Sequence, residues 1–125
     1  MSLTDRIPQV VESNLIGHEH KVIQVTVNGK PYLRSGRMNH PDLLARLISD
    51  FRSVEHLDIL GEHVRGTPPN SGKNYTLVGA GRVDGDAEKK TARFYGDSVA
   101  YDIGIDTEHI KKIRRFLPGW TLATE

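Results

Sequence analysis

The segment that most limits what this chain can become is Lys21–Val27, KVIQVTV, with Asn28-Gly29 directly behind it. β-branched residues crowd the run, and their stiff side chains pack better on a pleated surface than in a helix. Asn-Gly supplies the positive-φ positions that a tight two-residue hairpin demands. A hairpin running into Tyr32-Leu33 is therefore expected, which rules out an all-helical fold. Along a strand the side-chain period is two, so Ile23, Val25 and Val27 share one face. Lys21 lies on the same side at the strand's start, at the rim of the core.

After the hairpin, Asn39-His40-Pro41-Asp42 signals a helix start. Asn39 or His40 can cap, Pro41 fits the first turn, and Asp42 suits the positive end of the dipole. Leu43, Leu44, Leu47, Ile48 and Phe51 then form one apolar stripe that ends near Arg52. Val54–Val64 fits strand and helix equally. Arg65–Asn74, RGTPPNSGKN, reads as a surface loop. Tyr75–Val83 and Thr91–Tyr95 read as strands joined by a turn at Asp84-Gly85-Asp86, with Gly96 ending the second. Ile110, Ile113, Phe116 and Leu117 mark a second helix, capped by Asp106 or Thr107 and stopped by Pro118-Gly119. Trp120–Ala123 makes a closing strand. Thr4–Leu15 stays undecided, because Ile7, Val10, Val11 and Leu15 are spaced as in a helix while Pro8 opposes one. Residues 1–125 thus form one domain of α+β class, a single mixed β-sheet flanked by helices.

Composition removes several functions. There is no cysteine, which excludes disulfides, cysteine-held metals and thiolate nucleophiles and makes the cytoplasm the expected compartment. The net charge of +1 provides no overall field toward nucleic acid or a membrane, so neither is an expected partner. MSLTDRIPQVV meets Asp5 and Arg6 before an apolar core could form, so no signal peptide is expected, and no apolar run is long enough to span a bilayer.

Several motifs fail on spacing. Five residues separate Gly66 from Gly72 and Asn74 follows Lys73, whereas a Walker A loop needs four and then Ser or Thr. His18-x-His20 and His56…His63 match no metal-ligand pattern, so no metal and no cofactor is expected. Lys111, Lys112, Arg114 and Arg115 read as a solvated helix face.

What survives suits a phosphate-like anion. His40 stands at a helix N-terminus, where free N–H groups favour an anion and disfavour imidazolium. A neutral imidazole beside phosphate is a base or a nucleophile. Gly79-Ala80-Gly81-Arg82 combines small residues that allow close backbone approach with a guanidinium that forks onto phosphoryl oxygens. Gly96–Ala100 follows a strand, where a turn can aim successive N–H groups at an anion. Lys21 adds a point charge. Each residue also has a plain structural explanation: strand-end lysine, capping histidine, hairpin glycines.

Three stretches in order, GAGRV (Gly79–Val83), KK (Lys89-Lys90) and FYGDSVAY (Phe94–Tyr101), followed by Thr107-Glu108-His109-Ile110 and Pro118-Gly119-Trp120, resemble the Janus/Ocnus family of protein-histidine phosphatases. The resemblance covers the last third of the chain well. The first two-thirds match more loosely, through Ile7-Pro8, the strand opening at Lys21 and the Arg34–His40 stretch, and the link from the His40 helix to Gly79 is longer than the family's, so the resemblance implies an insertion around 54–74. It implies a mixed sheet flanked by helices and metal-independent hydrolysis of phosphohistidine, or phospholysine, in a protein or peptide. It further implies that His40 is catalytic, and that Lys21, Arg34, Arg82, Ser98 and Ala100 hold the phosphate, with Arg37 the other choice for Arg34. Asp97 stands where the family usually has tyrosine, and it adds a negative charge beside the implied phosphate site. A binding module of the same fold, holding phosphoprotein without turnover, is the alternative.

Overall fold

The computed structural model describes residues 7–55, 71–72 and 75–125, without the side chains of 52–55 and 71–72. Most of the expected 54–74 insertion therefore lies outside the described residues, as does nearly all of the ambiguous Val54–Val64 segment.

β1 (Gly17–Val27) and β2 (Lys30–Gly36) form the expected hairpin, with Asn28 and Gly29 both at positive φ, 50° and 82°. Helix α1 (His40–Glu55) follows and runs beyond the expected end at Arg52. Then come β3 (Ser71–Gly72), β4 (Tyr75–Asp86), β5 (Thr91–Tyr95), the short pair β6 (Asp97–Ser98) and β7 (Ile103–Gly104), helix α2 (Thr107–Ile113) and β8 (Thr121–Thr124). The main sheet runs β2-β1-β4-β5-β8, with β3 also paired to β4. β5 and β8 are parallel and the other pairs antiparallel, so the sheet is mixed and the class is α+β as expected. β6 and β7 form a second, two-stranded sheet that the sequence did not foreshadow. The described residues of the Thr4–Leu15 segment include a 3-10 turn at Glu12–Leu15, and its first residues lie outside the described set.

α1 packs on one face of the sheet, where its stripe meets Ile23, Val25, Val27, Tyr32, Tyr75, Leu77 and Ala80. At the centre Phe51 is fully buried, its ring edge-on to Tyr32 with centroids 5.1 Å apart. α2 packs on the opposite face with Leu15, Val22, Leu33, Val83, Phe94, Trp120 and Leu122. Among the described residues no helix is long and apolar enough to cross a membrane.

Two features override strict alternation. The β1–β4 register slips between Gln24↔Gly79 and Val25↔Leu77, which leaves Val78 as an extra residue. That bulge resets the phase of β4, so Tyr75 and Leu77 and then Ala80 and Arg82 all face the α1 side. Gln24, on the other face and fully buried, links to α2: its Nε2–H donates to Asp106 O (2.8 Å) and its Oε1 accepts from Asp106 N–H (2.7 Å). Asp106 in turn caps α2 by accepting from His109 N–H at 2.9 Å. Buried His109 completes the bridge, donating from Nε2 to Val25 O (3.1 Å) while its Nδ1 accepts from Gln24 (3.4 Å). Both imidazole nitrogens are thus used by a neutral ring, and desolvation holds its pKa below the ordinary 6.5.

The turn expected at Asp84-Gly85-Asp86 is displaced. β4 continues through Asp86, and Ala87–Lys90 make the turn, where Asp86 Oδ1 accepts from Glu88 N–H (2.9 Å) and Lys89 N–H (3.1 Å). Asp84 instead sits in the strand, where its carboxylate takes hydrogen bonds from Glu19 N–H, Arg93 and Tyr95. A Cβ on Gly85 would strike the carbonyl of Leu15, so this glycine makes room for the 3-10 turn.

Replacing Phe51 with alanine should lower the unfolding free energy by about 3–5 kcal/mol, read from the urea midpoint; a loss under about 1 kcal/mol would place the ring outside the core. His109, with its folded pKa below 6.5, makes stability complete above that pH and lost as pH falls below it toward the folded value. His109→Asn should flatten that acid limb between pH 7.5 and pH 5, and an unaltered limb would show that the bridge does not titrate.

Candidate functional site

β1 and β4 put two cations side by side. Lys21 pairs directly with Arg82 in the register, and paired residues of an antiparallel ladder point to the same face, here the α1 face. Neither side chain forms an ion pair or hydrogen bond with any described residue.

α1 delivers the third group. Asn39 is the cap, its Oδ1 accepting from Asp42 N–H at 2.9 Å, so His40 is the first helical residue and not the capping one. His40 is 5% exposed, and its Nε2–H donates to the carbonyl of Gly81 at 2.8 Å. A carbonyl only accepts, so the proton of the neutral ring is fixed on Nε2 and the lone pair is left on Nδ1. Desolvation, then the charges of Lys21 and Arg82, hold the His40 pKa below 6.5, against an opposing pull from the Gly81 hydrogen bond and from Asp97.

The fourth wall is the turn after β5. Gly96 takes φ +75°, a conformation costly for any other residue, and sends the chain into the β6–β7 hairpin. At its tip Val99 is 95% exposed. The N–H groups of Val99 and Ala100 have no hydrogen-bond partner among the described residues. Lys21, His40, Arg82, Asp97, Val99 and Ala100, with Asn39, Pro41 and Gly96, enclose a cavity of about 350 Å³.

Of the residues expected at the site, the structure thus brings His40, Lys21, Arg82 and Ala100 to one cavity. Ser98 is not on its wall. It is 1% exposed, and its hydroxyl oxygen accepts from Tyr101 N–H at 3.3 Å while its carbonyl accepts from Asp102 N–H at 2.7 Å. It therefore shapes the hairpin that carries Val99 and Ala100. Arg34 is also elsewhere, its guanidinium donating to the carbonyls of Pro8, Gln9 and Leu33 and lying over the Tyr32 ring at 5.9 Å. It ties the N-terminal segment to β2. Arg37 does not line the cavity either.

The glycines of Gly79-Ala80-Gly81 have a different cause from the one expected. A Cβ on Gly79 would overlap Gln24 Oε1 and stand 2.9 Å from Asp106 N; one on Gly81 would strike Tyr95 O and stand 2.8 Å from Ile105 Cδ1. Both vacancies are filled by the α2 side of the sheet, away from the cavity, so packing and not anion approach requires them. Sequence reasoning missed the Gly81 carbonyl that sets the His40 tautomer, since a backbone acceptor leaves no mark in the sequence. Among the described residues no group of three or more His, Asp or Glu could hold a metal ion.

No protein-family model and no curated protein matches this chain.

The charge arrangement has a direct readout. Removing the Lys21 cation relieves repulsion of imidazolium, so Lys21→Met should raise the His40 pKa, followed by NMR titration of the ring, from its depressed position toward 6.5. An unmoved titration would mean that the Lys21 ammonium is not beside the ring.

Proposed function

We propose that this chain is a metal-independent phosphatase that hydrolyses the P–N bond of phosphohistidine, or phospholysine, in proteins or peptides. The observation that carries the reading is the cavity lined by Lys21, Arg82, Val99 and Ala100, the last two with amides that have no partner among the described residues, together with a histidine whose lone pair is on Nδ1. The motif resemblance to Janus/Ocnus phosphatases supports the same reading through Gly79–Val83 and Phe94–Tyr101.

Phosphoryl transfer asks for positioning and charge neutralisation more than for covalent chemistry. Arg82 offers a fork to two phosphoryl oxygens, Lys21 a point charge, and the hairpin amides dipoles that need no reorganisation. Nδ1 of His40 either takes the proton of an attacking water or attacks phosphorus itself; both routes use the same lone pair. The leaving nitrogen departs readily when protonated, so the reaction needs no strong acid. The two cations supply the charge that a divalent ion would otherwise bring. Ser98 serves the site by holding the hairpin, and Arg34 is left outside the machinery. A cytoplasmic setting goes with this chemistry and with a chain free of cysteine.

The test is phosphate release from a phosphohistidine peptide at neutral pH with EDTA present. Wild type should release phosphate, and His40→Ala should lower the rate at least about a hundredfold, the usual contribution of a positioned base. Release abolished by EDTA would overturn the metal-independent mechanism. No release, with the peptide still bound, would replace the enzyme with a phosphoprotein-binding module.

A further inference from the structure

Asp97 is the one cavity residue that the phosphate reading leaves without a task, and its charge has the wrong sign for that reading. It lies on the same wall as the hairpin amides, facing a cavity that also holds Lys21 and Arg82. In most sites such a carboxylate would neutralise a neighbouring cation. Here no ion pair joins Asp97 to Lys21, Arg82 or any other described residue. Among the described residues, then, the cavity wall carries two positive groups and one negative group that make no ion pair. A plain dianion would be attracted by the first two and repelled by the third. A ligand that carries both signs would satisfy all three.

We propose that Asp97 is a specificity residue that selects a zwitterionic phosphoryl group, one in which the anionic phosphoryl is bonded to a cationic nitrogen. This rests on the phosphatase reading above and narrows its substrate class. Phospholysine fits best, because its bridging nitrogen is an amine that carries a proton at neutral pH. Phosphate esters of serine, threonine and tyrosine have an uncharged bridging oxygen and meet Asp97 as pure anions. Specificity then comes from repulsion of the wrong substrate as much as from attraction of the right one. In the water route, the water oxygen bonds to phosphorus and its proton goes to Nδ1 of His40. The P–N bond breaks with its electron pair staying on nitrogen, which leaves as the amine, and the His40 proton returns to solvent or to that amine. Asp97 takes part in no bond change; it holds the cationic nitrogen in place.

The test uses Asp97→Asn and two peptides of one flanking sequence, one carrying phospholysine and one phosphotyrosine, at pH 8. His40 is neutral there in both proteins, because loss of the Asp97 charge only lowers further a pKa already below 6.5, so the protonation state of the ring is the same in the comparison. Both kcat/KM and calorimetric Kd are measured. Asp97 is exposed, and an unchanged Tm would establish that the variant folds. Wild type should prefer phospholysine, and the variant should lose about tenfold in kcat/KM for phospholysine while gaining for phosphotyrosine, with the Kd ratio moving in the same direction. A preference unchanged within about twofold would overturn the role of Asp97 and leave the phosphatase reading standing. Binding without turnover by wild type would overturn the phosphatase reading, and the Kd ratio would then decide Asp97 by itself. Binding of neither peptide would overturn both.

Discussion

Two positive side chains, Lys21 and Arg82, are forced opposite each other by the β1–β4 register, and the candidate site is organised around that repulsion. Like charges directly across an antiparallel pair are unfavourable. The presence of Arg82 on the α1 face depends on the bulge at Val78, because without the extra residue Ala80 and Arg82 would alternate out of phase with Leu77. The bulge thus lets one strand feed a hydrophobic core at one end and a charged cavity at the other. α1 divides the two regions: its stripe from Leu43 to Phe51 covers the apolar half, and its first residue, His40, closes the charged half against Gly81.

The opposite face of the sheet backs the cavity wall with close packing. Gly79 and Gly81 receive Gln24 and Ile105 where side chains would otherwise project, and the Gln24–Asp106–His109 bridge pins α2 to β1. Any shift of β4 toward the cavity would open a gap behind it, and any shift away would press on buried atoms. The Gly81 carbonyl that orients His40 is therefore fixed from behind by packing that never touches a ligand.

Legibility in the sequence followed locality. The Asn28-Gly29 hairpin, the Asn39-His40-Pro41-Asp42 helix start and the second helix start at Asp106-Thr107 are each written within a few residues and all three formed, with Asp106 the cap of the two candidates there. The α+β class followed from them. The Asp84-Gly85-Asp86 turn misled because its local propensity was outweighed by distant partners: Arg93 and Tyr95 across β5, Glu19 N–H from β1, and the Leu15 carbonyl over Gly85. Within the site, cations could be nominated from the sequence, but whether each was free could not. Arg82 is free among the described residues, while Arg34 is consumed by carbonyls of a segment more than twenty residues away. The resemblance implied Ser98 as a phosphate ligand; in the structure its buried hydroxyl oxygen accepts from Tyr101 N–H within the hairpin, a local use that the resemblance does not reveal.

The hydrogen bond from His40 to Gly81 also fixes where a second proton must go. With Nε2–H committed to the carbonyl, only Nδ1 remains, so acidification removes the lone pair and adds a third positive charge beside Lys21 and Arg82. Affinity for an anion and capacity to act as a base then run in opposite directions with pH. By linkage, an anion held in the cavity makes that proton easier to gain, so the occupied site protonates at higher pH than the empty one. Under the proposed function, capture and release of phosphate are in this way coupled to the proton balance of a single ring nitrogen.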